Sequence, residues 1–159
     1  MKNKFTHIGE KNQPKMVNVG DKKITKRKAT AKATMFLGEE IISHFQNDEL
    51  ITKKGPVFQT AIIAGIQAVK KTSDLIPMCH PLLIQGVDIG IEIIDKEHIE
   101  ILCTVAIEGK TGVEMEALTG ANISALTVYD MCKAISQKMV IKEVKLLEKS
   151  GGKSDIKNG

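Results

Sequence analysis

Val87-Asp88-Ile89-Gly90-Ile91-Glu92-Ile93 and Ile99-Glu100-Ile101-Leu102-Cys103-Thr104-Val105-Ala106-Ile107 each place an apolar side chain at every second position. Successive side chains of a strand point to opposite faces, so this period predicts two strands, each with one buried face. The charged Asp95-Lys96-Glu97 between them predicts a hairpin. Upstream, Ala29, Ala31, Ala33 and Met35 alternate with polar residues and predict another strand. Downstream, a last strand is expected over about 140–147. Between these lie helical stretches. Residues 39–45 read as a short helix. Gly55-Pro56 opens a second one, with Pro at its first position, running to about Lys71. Phe58, Ile62, Gly65, Ile66 and Val69 share one side of it, and Gly65 leaves room for close packing. Residues 113–133 read as a long third helix. The order is strand, helix, helix, strand, strand, helix, strand. It predicts an α+β sandwich with helices on one face of a largely antiparallel sheet.

The long helix has apolar side chains nearly all round: Val113, Met115, Leu118, Ala121, Ile123, Ala125, Leu126, Val128 and Met131 leave no wide polar face. One side packs on the sheet of its own subunit, and another subunit is the expected cover for the rest.

The chain has 159 residues, enough for one domain with a real core. Residues 1–15 are polar and expected to be mobile, 16–148 form the single domain, and the Gly- and Lys-rich stretch 149–159 reads as a flexible tail. Aromatic residues are 3% of the chain, which leaves hardly a platform for stacking bases and argues against nucleic acid. A net charge of +4 is a mild excess that suits a small anionic substrate. Of the 23 basic residues only Arg27 is arginine: a chance survivor, or a position that needs a planar bidentate cation. Cys79, Cys103 and Cys132 are odd in number, with no Cys-x-x-Cys pair, so neither a disulfide framework nor a structural zinc site is expected. Free thiols and a polar N-terminus point to the cytoplasm, and no run of about 18 apolar residues marks a membrane span.

Four features carry chemistry. Asp130 shares its stripe of the long helix with Thr119, Ile123 and Leu126, and Lys133 lies one turn on. The pair is either an ordinary surface ion pair or a buried acid and base tuned for proton transfer. The nearly all-apolar helix favours burial. Leu75-Ile76-Pro77-Met78-Cys79-His80-Pro81 brackets Cys79 and His80 with two prolines. The stiff loop fixes His80, as a proton donor or phosphate contact requires; a satisfied structural histidine is the alternative. Gly109-Lys110-Thr111-Gly112 precedes the long helix, yet position 104 is Thr where a Walker loop needs Gly. It remains a Gly-flanked anion loop at a helix N-terminus. Glu114 and Glu116 there are helix-dipole partners, or acceptors for a guanine-like ring. Finally, Lys149 and Lys153 flank a Gly-rich turn that either folds over a polyphosphate or is solvated.

Together and in order, these stretches resemble the molybdenum cofactor biosynthesis protein C family. The resemblance rests on Thr25-Lys-Arg-Lys-Ala-Thr-Ala31, Lys54-Gly55, Ala64-Gly-Ile-Gln-Ala68, Asp74-Leu-Ile-Pro-Met-Cys-His-Pro81, Gly109-Lys-Thr-Gly-Val-Glu-Met-Glu-Ala-Leu-Thr119, Tyr129-Asp-Met-Cys-Lys-Ala134 and Lys149-Ser-Gly-Gly-Lys-Ser154. It implies a ferredoxin-like fold, a homohexamer built as a trimer of dimers, and active sites where subunits meet. It implies a lyase that converts 3′,8-cyclo-7,8-dihydroguanosine 5′-triphosphate into cyclic pyranopterin monophosphate and pyrophosphate. Asp130 and Lys133 fall on the family's catalytic pair. Met78, Cys79, His80, Met115 and Glu116 fall on its substrate loop and second contact; Arg27, Lys54, Glu114, Lys149 and Lys153 match further pocket positions. Met78 is the one departure, since relatives often carry Leu there. No cofactor or metal is required, although magnesium is allowed on the triphosphate. A non-catalytic nucleotide regulator and a metal-dependent hydrolase are the competing classes.

Overall fold

The alternation beginning at Thr25 produces the central strand of the sheet. A computed structural model describes residues 13–158; the first twelve positions of the expected mobile N-terminal segment lie outside the described residues. Strand β1 (Thr25–Phe36) pairs antiparallel with β5 (His98–Gly109) on one side and β6 (Val140–Ser150) on the other. Strand β4 (Gly86–Ile93) flanks β5, and the short β7 (Ile156–Lys157) flanks β6. The sheet order is β4-β5-β1-β6-β7, and every neighbouring pair is antiparallel. Register puts Ala31 opposite Cys103 and Ala33 opposite Ile101, so the apolar sets of adjacent strands share one face.

Helices α2 (Val57–Lys70) and α4 (Glu114–Cys132) cover that face. Small residues let them approach closely. Gly65 and Gly120 lie at their crossing, and the hydroxyl of buried Ser124 donates to the Ala61 carbonyl at 3.0 Å. The core is mainly aliphatic: Ala29, Ala31 and Ala33 of β1 share it with Ala117, Ala121 and Ala125 of α4, and the two elements are in direct contact. The α+β class and the antiparallel sheet therefore follow the sequence pattern.

Local differences have physical causes. The first helix, α1, spans only Glu39–Ile42, because Ser43 Oγ and His44 Nδ1 both bond the Glu40 carbonyl and turn the chain. Pro56 is the residue before α2 rather than its first; it is extended, and pairs with Ile51 in a small hairpin of β2 (Ile51–Thr52) and β3 (Gly55–Pro56). The first amides of α2 are satisfied from a distance, by Glu49. Its carboxylate accepts from Phe58 at 2.9 Å and Gln59 at 3.1 Å. A one-turn helix, α3 (Thr72–Leu75), follows α2. Strand β6 runs through Ser150, into the segment that composition marks as a tail. That segment turns at Gly151, where φ is +82°, and returns as β7 beside Glu148 and Lys149.

Candidate functional site

The N-terminus of α4 points Glu114, Met115 and Glu116 toward the loop that follows α3. That loop supplies Ile76, Met78, Cys79, His80 and Leu82, and together they wall a cleft of about 640 Å³. Val17, Val19 and Lys22 close one side; Lys149 and Lys153 close another. A narrower pocket of about 130 Å³ adjoins it through Lys22, Thr111, Gly112, Glu114, Lys149 and Lys153. Six basic side chains and one carboxylate line this second pocket: Lys22, Arg27, Lys28, Lys110, Lys149 and Lys153 against Glu114. So the Gly-flanked loop and the Lys149–Ser154 turn do meet, as an anion site requires.

The electrostatics divide the two pockets. Lys149 Nζ binds Glu114 Oε1 at 2.8 Å. Burial acts to raise the Glu114 carboxyl, but the Lys149 hydrogen bond, its own amide and the nearby Arg27 charge prevail and hold it below its ordinary value. Glu116, only 3% exposed, is shifted the other way. Burial raises it, Glu114 adds repulsion, and its own amide opposes the shift. The Cys79 thiol is likewise raised, by burial and then by Glu116. Arg27 keeps the inward parity of Ala29 and Ala31 and lies at the edge of the core, half-buried opposite Ile107. Its Nε is buried with no hydrogen-bond partner among the described residues. A buried donor in that state calls for an acceptor such as a phosphate oxygen. His80 Nε2 lies 2.8 Å from the Val17 carbonyl. A carbonyl only accepts, so this nitrogen carries a proton and the ring tethers the chain entering the domain.

The second group lies elsewhere. Asp130 Oδ1 meets Lys133 Nζ at 2.8 Å and Asp130 Oδ2 meets Lys54 Nζ at 2.7 Å. The Lys133 hydrogen bond, then that of Lys54, pulls the Asp130 carboxyl down to about 2, and the same contact raises Lys133. Expected burial is not found within one chain: the Asp130 and Lys133 side chains are 53% and 51% exposed. In that turn of α4 the core face is taken by Val128, Met131 and Cys132, so Asp130 and Lys133 project outward. Glu116 and Asp130 are 14 residues apart on one helix, about 21 Å along its axis. One chain therefore holds two groups of candidate residues at opposite ends of α4. Lys54 joins the Asp130 end; Glu114, Lys149 and Lys153 join the cleft, and Arg27 lines the narrow pocket beside it. Sequence reasoning missed Val17, Val19 and Lys22, whose stretch carries no period or motif, and it missed Glu49 as a cap.

Comparison with known proteins gives a consistent picture. The model of the MoaC family matches residues 16–152. A cyclic pyranopterin monophosphate synthase of Campylobacter jejuni is 51% identical over 152 residues, covering 95% of this chain and 96% of that protein. One from Lysinibacillus sphaericus is 51% identical over 155 residues, with 96% of each chain covered. The chain also matches a molybdenum cofactor biosynthesis bifunctional protein of Synechocystis at 49% identity, but spans only 45% of its length. The chain belongs to the MoaC family.

Proposed function

We propose that the chain converts 3′,8-cyclo-7,8-dihydroguanosine 5′-triphosphate into cyclic pyranopterin monophosphate, with loss of pyrophosphate, as an enzyme of molybdenum cofactor biosynthesis. Full-length likeness to curated cyclic pyranopterin monophosphate synthases supports the activity. The observation that carries it is the pairing of a ring-sized cleft floored by a buried carboxyl, Glu116, with a contiguous pocket of six cations. A purine-derived ring with amide and amino donors fits the first. A triphosphate fits the second, where Arg27 Nε awaits an acceptor.

In this mechanism a sugar hydroxyl attacks the innermost phosphorus and its bond to the pyrophosphate oxygen breaks. The hydroxyl proton goes to a base, and the lysines with Arg27 stabilise the departing charge. Asp130 and Lys133 shuttle protons while the ring opens and recloses. In a lone chain that pair is tuned unfavourably: Asp130 near 2 is a poor base and Lys133 holds its proton. Enclosure by a second copy withdraws water, and that loss of hydration acts to raise the Asp130 carboxyl and to lower the Lys133 ammonium. The stripe leading to Asp130 supports such a neighbour, because Leu126 is exposed, as is Ile63 on α2. We therefore assign the catalytic site to two copies, one giving Asp130, Lys133 and Lys54, the other the cleft. A ferredoxin-like sandwich, for which the β4-β5-β1-β6 order speaks, assembled as a cytoplasmic homohexamer is the framework proposed. No helix among the described residues is long and apolar enough to cross a membrane.

The test is incubation with the cyclised GTP derivative. Cyclic pterin and pyrophosphate are expected in equal amounts, from wild type but not from Lys133→Ala. Bound triphosphate returned unchanged would make the chain a nucleotide regulator. Loss of all turnover on chelation, not restored by magnesium, would favour a metal-dependent hydrolase.

A further inference from the structure

We propose that the segment Val17–Lys22 is a working wall of the substrate site, that Lys22 contacts the phosphate chain of the substrate, and that Lys110 is the positioning residue that holds this wall in place. The proposal rests on the reading of the two pockets as ring and phosphate sites. Val17, Val19 and Lys22 line the wide cleft, and Lys22 also lines the narrow one. Lys22 thus stands at the junction, where the phosphates nearest the sugar must pass.

The segment lies outside the sheet and needs tethers to keep one position. Two are present. His80 Nε2 donates to the Val17 carbonyl, and Lys110 Nζ donates to the Gly20 carbonyl. Between them the chain turns on itself: Gly20 N bonds Asn18 Oδ1 at 2.8 Å and Lys22 N bonds the Val19 carbonyl at 3.2 Å. Both tethers arise from the loops that build the cleft, the one carrying Cys79 and His80 and the one running from Gly109 to Gly112. An ammonium has three N–H donors, so Lys110 holds the Gly20 carbonyl and still presents charge to the narrow pocket it lines. Without Lys22 and Lys110 the six cations of that pocket fall to four.

Three full-length variants test this: Lys22→Met, Lys110→Met and Lys110→Arg. Steady-state kinetics with the cyclised GTP derivative are combined with pyrophosphate titration by calorimetry. For Lys22→Met, kcat/KM is expected to fall and the pyrophosphate Kd to rise, each by about tenfold. Lys110→Met should do the same, and Lys110→Arg, which keeps a donor for the Gly20 carbonyl, should recover to within about twofold. An unchanged pyrophosphate Kd in Lys22→Met overturns the proposal. Failure of Lys110→Arg to recover removes Lys110 as a tether. Pyrophosphate binding needs no turnover. An inactive wild type that binds pyrophosphate through Lys22 would therefore sink the proposed reaction while leaving this wall standing.

Discussion

Replacing Gly65 by Ala forces a methyl group into the crossing of α2 and α4. The new Cβ would overlap Ser124 Oγ, and would lie 2.6 Å from Ile89 Cδ1 and 3.0 Å from the Gly120 carbonyl oxygen. The Ile89 tip can yield at the cost of a poor rotamer, about 1 kcal/mol. Ser124 can yield only by loosening its buried bond to the Ala61 carbonyl, which costs about 1–3 kcal/mol. The Gly120 carbonyl is backbone and moves only with the helix. Against these stands the better helix propensity of Ala, worth about 1 kcal/mol. The net expectation is a loss of about 2–4 kcal/mol, or a Tm lower by about 5–15 °C for a chain of this size. Because α2 leads into the Cys79–His80 loop and α4 carries Glu116, helices pushed apart also widen the cleft. KM should rise more than kcat falls. Gly90→Ala is the control, since nothing lies within 4 Å of its Cβ. Calorimetric melting of both variants decides the matter. A Gly65→Ala protein melting within about 1 °C of wild type would refute the packing argument.

Glu49→Ala removes the carboxylate that caps α2, and should cost about 1–2 kcal/mol in urea unfolding, with unchanged slope. Glu116→Gln should stabilise the fold at neutral pH by about 1 kcal/mol, since burial of a carboxylate is relieved. Its folded carboxyl is raised, so the folded state binds the proton more tightly than the unfolded chain. Wild-type stability is fullest below the ordinary carboxyl range and is lost as pH rises through the raised value. The gain from Glu116→Gln should accordingly vanish in acid; a gain independent of pH in thermal melts would contradict the assigned cause.

Much of the fold is written in the sequence because the sheet is covered on one face only. Ile99, Ile101, Cys103, Val105 and Ile107 are all buried, and their alternation marks β5 without further information. The two-residue strands β2 and β3 and the single turn α3 are too short to leave a period. Glu49 caps a helix eight residues downstream, a relation fixed by the hairpin between them and not by spacing alone. The site divides similarly. The Gly109–Gly112 loop, Glu116 and Lys149 are recognisable from residue type beside a helix end. Lys22 is one of many lysines in a polar stretch, and only folding brings it to the cleft. Asp130 shows the limit of a helical wheel. The wheel marks an apolar stripe through Ile123 and Leu126, but it does not say whether the same chain or another covers it.

The claim that one active site draws on two copies can be measured by co-expressing Lys133→Ala and Glu116→Ala chains with different tags and assaying the purified mixed oligomers. Each variant alone should form no cyclic pterin. If Lys133 comes from one copy and Glu116 from another, about a quarter of the sites in an even mixture carry both residues, and activity returns to about a quarter of wild type. Mixed oligomers as inactive as either parent would place both residues in the same chain's site and contradict the account.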